Sequence, residues 1–273
     1  MNRTTPLLEL DGGPVSAADV TALALHNYGH FTTMRVADMR VRGLTCHMDR
    51  LIHDCKILFD AELDVHRVRR LVRWAAAGTT SPTIVRATVF APDLDLGDPA
   101  APMTPRVLVS RRPAPGTGAP PIRLRSVPYR RDLPAVKHVG LLGTVHHRRV
   151  ARLDGFDDAL FVDGDSRVEY RVVEGATWNV GFFDGDRVIW PEGECLPGVT
   201  MRLVADILDQ EGVPSVTMPI GVGDLADMRS GFITNAAIGV RPIASVDGVG
   251  IGQETDLIDT VTRAYAALPG ESL

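Results

Sequence analysis

With 273 residues, 45% apolar and 23% charged, the chain has a globular composition, long enough for one large core or two linked lobes. A formal charge of -5 and a pI near 5.9 leave no basic footprint, which argues against a nucleic-acid grip or a general attraction to anionic lipid and favours small metabolites as partners. No signal-peptide core opens the chain and nowhere do about 18 apolar residues run together, so the expected location is the cytoplasm.

In chain order, "LIHDCKILFDAEL" and "VHRVRRLVRWAAAG" space their apolar residues as helices, the second stopping at Gly78. "TIVRATVFAP" and "PRVLVSRRP" read as β-strands rich in branched side chains, with the loop "DLDLGDPAAPMT" between them. The proline- and glycine-rich stretch 113–121 has no hydrophobic period and is expected to link a first lobe, 1–112, to a second, 122–273. The second lobe opens with strand-like "IRLRSVPYR", continues into a helix over "GLLGTVHHRRVARLDG" ended by Gly155, and returns as the strand "DALFVDG". "FFDGDRVIW" reads as a hairpin with a type I′ turn at Asp184-Gly185. "MRLVADILDQEG" is an amphipathic helix, "SVTMPI" and "GFITNAAIGVRPI" are further strands, and "TDLIDTVTRAYAALPG" is a helix capped by Thr255 or Asp256 and stopped by Pro269. This mixture implies an α+β fold of two α/β lobes.

Cys46, Cys55 and Cys195 are too scattered for a disulfide framework or a thiolate metal site, and the His-containing pairs near 46, 53 and 146 lack partners at ligand spacing, so no metal is expected. Two charged residues stand out against apolar neighbours. Lys137 in "DLPAVKHVGLLG" is placed at the start of a helical run, where it is either a snorkelling lysine or a desolvated one whose amine can attack an aldehyde. Glu174 in "VVEGATWNVGFF" closes an apolar run, and a carboxylate removed from water needs a cationic partner.

The order of these segments resembles the class IV aminotransferases, the fold-type IV (D-amino acid aminotransferase-like) enzymes that use pyridoxal 5′-phosphate (PLP). "YGHFTTMRVADMRVRGLTCHMDRL" is similar to the family's glycine-aromatic-Thr segment and His-x-x-Arg-Leu helix, which implies that Arg50 holds the cofactor phosphate. Lys137 falls at the Schiff-base position, and Glu174 with Asn179 falls on the Glu-Gly-x-x-x-Asn motif. "LPGVTMRLV" matches the segment whose Val199 and Thr200 meet phosphate at a helix start, and "FITNAAIGVRPI" fits the last phosphate loop through Thr234, Asn235 and Ala236. By this resemblance the protonated pyridine nitrogen of PLP is the cation that Glu174 requires.

Taken singly, Arg50 also reads as a surface ion pair, Thr200 as an N-cap and Thr234 as a strand end; the shared order favours the cofactor. The chain departs from the pattern at Gly140, at Met201 and in a lengthened segment before Glu174, where Glu169 competes for the acidic role. Tyr28, Phe31, Thr33, Arg86 and Trp178 are the candidate substrate residues, with core packing the rival reading for Phe31 and Trp178. The implied function is transfer of an amino group between an amino acid or small amine and a 2-oxo acid, in a homodimer. The alternatives are aminodeoxychorismate lyase, toward which "FTT", "KH" and "NA" lean, and a binder of PLP or another phosphate ligand without catalysis.

Overall fold

The computed structural model describes residues 7–166, 169–252 and 254–273. The chain forms two compact units. One runs through Pro115 and also takes in Val136–Gly140 and Pro269–Leu273; the other comprises Gly116–Ala135 and Leu141–Leu268.

The first unit contains strands β1 (Leu7–Leu10) and β2 (Gly13–Pro14), helix α1 (Ala17–His26), β3 (His30–Ala37), β4 (Arg40–Val41), α2 (Leu44–Phe59), α3 (Val65–Ala76), β5 (Thr83–Phe90) and β6 (Arg106–Pro113). A last strand, β16 (Glu271–Ser272), completes a sheet ordered β16-β4-β3-β5-β6-β1-β2. Side chains alternate across a strand, so Thr32, Met34 and Val36 of β3 and Val85, Ala87 and Val89 of β5 share one face. The apolar stripes of α2 (Leu44, Met48, Leu51, Cys55, Leu58) and α3 (Val68, Leu71, Val72, Ala75) cover that face. Phe31, Thr33, Arg86 and Thr88 lie on the other face, in directly paired positions of β3 and β5.

The second unit contains β7 (Ile122–Pro128), α4 (Leu142–Leu153), β8 (Asp158–Asp163), β9 (Arg171–Gly175), β10 (Asn179–Phe183) and β11 (Val188–Pro191). It continues through α5 (Val199–Gln210), β12 (Ser215–Met218), a 3₁₀ turn, β13 (Ser230–Asn235), β14 (Gly239–Val246), β15 (Val249–Gly250) and α6 (Asp256–Ala267). Its sheet is ordered β12-β11-β10-β13-β14-β7-β8-β9, with β15 beside β14. The sheet curls, because Gly175 N–H donates to Trp178 O at 2.9 Å and returns the end of β9 to the start of β10. One core fills the curl around Leu124, Leu160, Phe182 and Ile233. A second lies under α5 and α6, against Phe183, Trp190 and Phe232.

Several expectations are corrected. Residues 136–140 and 269–273 do not stay with the second lobe: Phe31 N–H donates to Lys137 O and Val139 N–H to Gly29 O, both at 2.9 Å, and β16 pairs with β4. The passage between units falls between Pro115 and Gly116, inside the 113–121 stretch. Lys137 precedes α4 instead of opening it. α2 starts at Leu44, seven residues before the expected Leu51, because the apolar stripe extends backward around the polar His47. The Asp184-Gly185 turn is not type I′: only Gly185 takes positive φ, at 115°. Residues 184–187 form a longer loop in which the Asp184 carboxylate accepts the backbone N–H groups of Asp186 and Arg187, both at 2.9 Å. "GFITNAAIGVRPI" is two strands, and Thr255 occupies the N-cap of α6 without a side-chain capping bond.

His30 and His47 are buried in the first unit. Burial first, and the Arg50 charge second, push the His30 pKa down to about 3; burial, then Arg50 and Lys137, hold His47 well below its ordinary value. A histidine kept neutral by folding binds more protons when unfolded, so stability is present above the unfolded value, about 6.5, and falls as the pH drops toward the folded one. The urea midpoint should therefore decrease between about pH 7.5 and about pH 5.5, a window in which ordinary carboxylates stay ionised. A constant midpoint would mean that these rings accept protons in the native state.

Candidate active site

In the first unit the chemistry gathers around β3 and α2. Arg50 Nη2 donates to Thr32 Oγ1 at 2.7 Å, and Thr32 Oγ1 lies 2.7 Å from His47 Nδ1. Arginine can only donate, so the threonine proton is directed to Nδ1 and the His47 ring is assigned as the neutral Nε2–H tautomer. Burial lowers the Arg50 pKa to about 10, the neighbouring Asp54 charge opposing it, and Arg50 Nε is buried without a hydrogen-bond partner. No carboxylate lies at ion-pair distance from Arg50 among the described residues, which removes the surface-pair reading.

On the opposite face of the sheet, the Arg86 guanidinium stacks 3.6 Å from the centroid of the Phe31 ring and donates through Nε to Thr88 Oγ1 at 3.1 Å. Burial lowers its pKa to about 10. Lys137 Nζ lies 5.1 Å from the same ring centroid. The structure thus brings together Phe31, Arg86 and Lys137, with Thr33 cross-strand from Arg86. Tyr28 is engaged elsewhere, since its hydroxyl donates to Leu58 O at 2.7 Å and its ring meets Phe59 edge-on, closing the end of α2.

In the second unit, Glu174 at the end of β9 is 5% exposed. A bulge at Val173 sets it opposite Phe161 of β8. Its cation is supplied by the protein itself: Arg131 Nε donates to Oε1 at 2.7 Å, and Leu196 N–H donates to Oε2 at 3.1 Å. The carboxylate for which the resemblance names the PLP ring nitrogen thus has a cation from the protein as well. Arg131 follows β7, and the β7-β8-β9 order brings it to the glutamate. Glu169 is exposed and accepts from Ser166, so it does not share this environment. Arg167 and Val168 of the lengthened segment lie outside the described residues.

Asn179 donates through Nδ2 to Leu196 O at 2.8 Å and buttresses the turn into α5. A Cβ on Gly198 would stand 1.9 Å from Asn179 Oδ1, so a larger residue at this N-cap has to displace the Asn179 amide. α5 begins at Val199 with no side-chain cap, leaving its first N–H groups to another acceptor. Thr200 and Thr234 are buried and neither hydroxyl has a hydrogen-bond partner. Asn235 Oδ1 accepts from Ala237 N at 2.9 Å and Ile238 N at 3.0 Å, shaping the turn that carries Ala236. Met201 packs into the core beneath α5. Within this unit, two unpaired buried hydroxyls and an uncapped helix start are donors of the kind a phosphate dianion takes, so these residues fit the phosphate of PLP.

Trp178 leaves the substrate set. It is 5% exposed, donates through Nε1 to Asp158 Oδ2 at 3.2 Å, and packs so closely on Gly175 that a Cβ there would lie 2.2 Å from the ring. Cys195 is inert as a thiolate, burial and Glu174 raising its pKa to about 11. No His, Cys, Asp and Glu grouping suited to a metal occurs among the described residues. Sequence reasoning missed Arg131, which carries no local signal, and Asp54. The latter was legible as a charged residue four positions after Arg50 on the buried side of α2.

Known proteins share the sequence pattern and the fold. The sequence profile of the family described as Amino-transferase class IV matches residues 29–246. A protein of Methanocaldococcus jannaschii named for branched-chain-amino-acid aminotransferase activity is 27% identical over 244 residues, 82% of this chain and 80% of that one. Among solved structures, the branched-chain aminotransferase of Thermoproteus uzoniensis with norvaline superposes with a TM-score of 0.84 at 20% identity, covering 95% of this chain and 93% of that one. A hypothetical aminotransferase of Mycobacterium tuberculosis in its PLP-bound form gives 0.80 at 20% identity, covering 95% and 97%. The weight of these relatives falls on amino-group transfer and not on the lyase or the non-catalytic binder. Since the profile takes in β3, α2, Lys137, Glu174, α5 and the Thr234 turn in one continuous match, this chain belongs to the class IV aminotransferases, with their fold-type IV architecture.

Proposed function

We propose that the chain binds PLP through Lys137 and moves an amino group from a branched-chain or similarly sized aliphatic amino acid to a 2-oxo acid. The observation that carries the cofactor is that Thr200 and Thr234, which fall on the family's phosphate motifs, both have buried hydroxyls without a partner, as Arg50 Nε does in the first unit. Buried polar groups in native proteins are otherwise nearly always paired. The names of the relatives support the aliphatic donor, and Arg86 supports a carboxylate on the substrate. It is a desolvated cation with no acidic partner at ion-pair distance among the described residues.

When bound, PLP supplies an electron sink for the pair left as the substrate Cα–H bond breaks. The residues divide the remaining work. Lys137 Nζ takes the proton from Cα as general base and returns it elsewhere on the reacting framework. Arg50, Thr200, Thr234 and the N–H groups of Val199 and Ala236 would hold the phosphate, and Glu174 would face the ring nitrogen. Arg131 and Leu196 fix the Glu174 carboxylate, so its orientation costs nothing further on binding. Phe31 and Thr33 would bound the substrate beside Arg86. The protein is expected to act as a homodimer in the cytoplasm.

Added PLP should give the purified protein a visible absorbance band that a branched-chain amino acid bleaches, with D- and L-isomers tested side by side. Lys137→Ala should remove both the band and turnover; turnover surviving in that variant sinks the assignment. Arg86→Leu should raise KM for the 2-oxo acid about tenfold or more while PLP affinity stays within about threefold, since a lost charged hydrogen bond is worth about 1.5–3 kcal/mol. Unchanged KM would remove Arg86 from substrate recognition.

A further inference from the structure

Among the described residues, Asp54 is the one carboxylate fully buried in the first unit. Placing it there is costly, since an ionised side chain withdrawn from water loses several kcal/mol of hydration unless hydrogen bonds replace it. Its neighbours in the buried stripe of α2, Leu51, Cys55 and Leu58, show that apolar side chains suit this face of the helix. The Asp54 oxygens are both engaged. Oδ2 accepts the backbone N–H of Lys137 at 3.0 Å, and Oδ1 lies 3.1 Å from Nδ1 of the half-exposed His53.

Lys137 stands in a five-residue segment, Val136–Gly140, that forms neither a helix nor a strand. Bonds from β3, α2 and Gly29 hold it, beside an isolated bridge between His30 and His138. The Lys137 carbonyl accepts from Phe31 N–H at 2.9 Å, while its N–H goes to Asp54. Both backbone polar groups of the lysine are therefore taken, one by a strand and one by a helix side chain. The side chain leaves from this clamp toward the Phe31 ring.

We propose that Asp54 is a positioning residue, a carboxylate on α2 that fixes the backbone of Lys137 and so sets where its amine meets the aldehyde carbon of PLP. The role rests on the reading of Lys137 as the residue to which PLP attaches. In that attachment the Nζ lone pair forms the bond to the aldehyde carbon, and the aldehyde oxygen departs as water, taking both amine protons. The rate depends steeply on where the amine is held. Pyridoxine 5′-phosphate has the same ring and phosphate but no aldehyde, so its binding does not depend on the lysine in this way.

The experiment compares wild type, Asp54→Ala and Asp54→Asn in the full chain. Three readouts are needed: the rate of PLP attachment, trapped with borohydride and mapped to Lys137; the affinity for pyridoxine 5′-phosphate; and hydrogen exchange of the Lys137 amide. Asp54→Ala should slow attachment about tenfold or more, leave pyridoxine 5′-phosphate affinity within about threefold, and expose the Lys137 amide to exchange. Asp54→Asn keeps an acceptor oxygen and should stay within about threefold of wild type in attachment. Equal losses for both ligands in Asp54→Ala, an asparagine variant as slow as the alanine one, or no change in either would overturn the role. If Asp54→Ala does not fold, the Lys137 amide should exchange slowly in wild type and Asp54→Asn, and rapid exchange in wild type overturns the proposal. A wild type that binds pyridoxine 5′-phosphate but never traps PLP on Lys137 would overturn the attachment reading itself, and with it the role of Asp54. A wild type that binds neither would remove the cofactor.

Discussion

The placement of Lys137 depends on hydrogen bonds made by residues remote from it in sequence. Val136–Gly140 lies between two stretches of the second unit, yet it folds with the first, because Gly29 offers its carbonyl, β3 offers Phe31 N–H and α2 offers the Asp54 carboxylate. The same strand that pins the lysine carries Phe31, whose ring then receives both Lys137 and Arg86. Backbone geometry and side-chain chemistry are thereby set by one element.

The charges follow a consistent division. Buried carboxylates have partners: Asp54 has a backbone N–H and His53, Glu174 has Arg131 and Leu196 N–H, and Asp158 has Trp178 and Arg148. Buried cations on the first unit do not, since Arg50 and Arg86 have no carboxylate at ion-pair distance among the described residues and both are held near a pKa of about 10 by desolvation. A surplus of dehydrated positive charge is unfavourable by itself and is relieved by anions. That is the electrostatic setting suited to a phosphate and a carboxylic acid, and it exists in a chain whose net charge is negative.

How much of this is legible in the sequence depends on range. α3, β5, β6 and β7 follow from apolar period, with Gly78 and the prolines marking their surroundings, because those signals act within a few residues. The helix α2 reads as starting late because the polar His47 interrupts its apolar stripe. The Asp184 loop passes for a tight hairpin because a side chain that caps its own turn gives the same dipeptide as a positive-φ pair. Lys137 and Glu174 stand out as charges among apolar neighbours, whereas Arg131 sits in an unremarkable polar run and gains meaning only when β7, β8 and β9 are laid side by side. Trp178 suggests a substrate contact because its position near Glu174 in sequence hides the fact that its indole turns inward to Asp158.

The contact between Gly175 and Trp178 also reaches beyond this chain. With a Cβ at 175 falling 2.2 Å from the indole, the two positions share one volume, and neither can change alone without a clash or a void. In related sequences, a larger residue after the glutamate should be accompanied by a smaller one three positions on. A redesign of this corner therefore has to exchange both residues together.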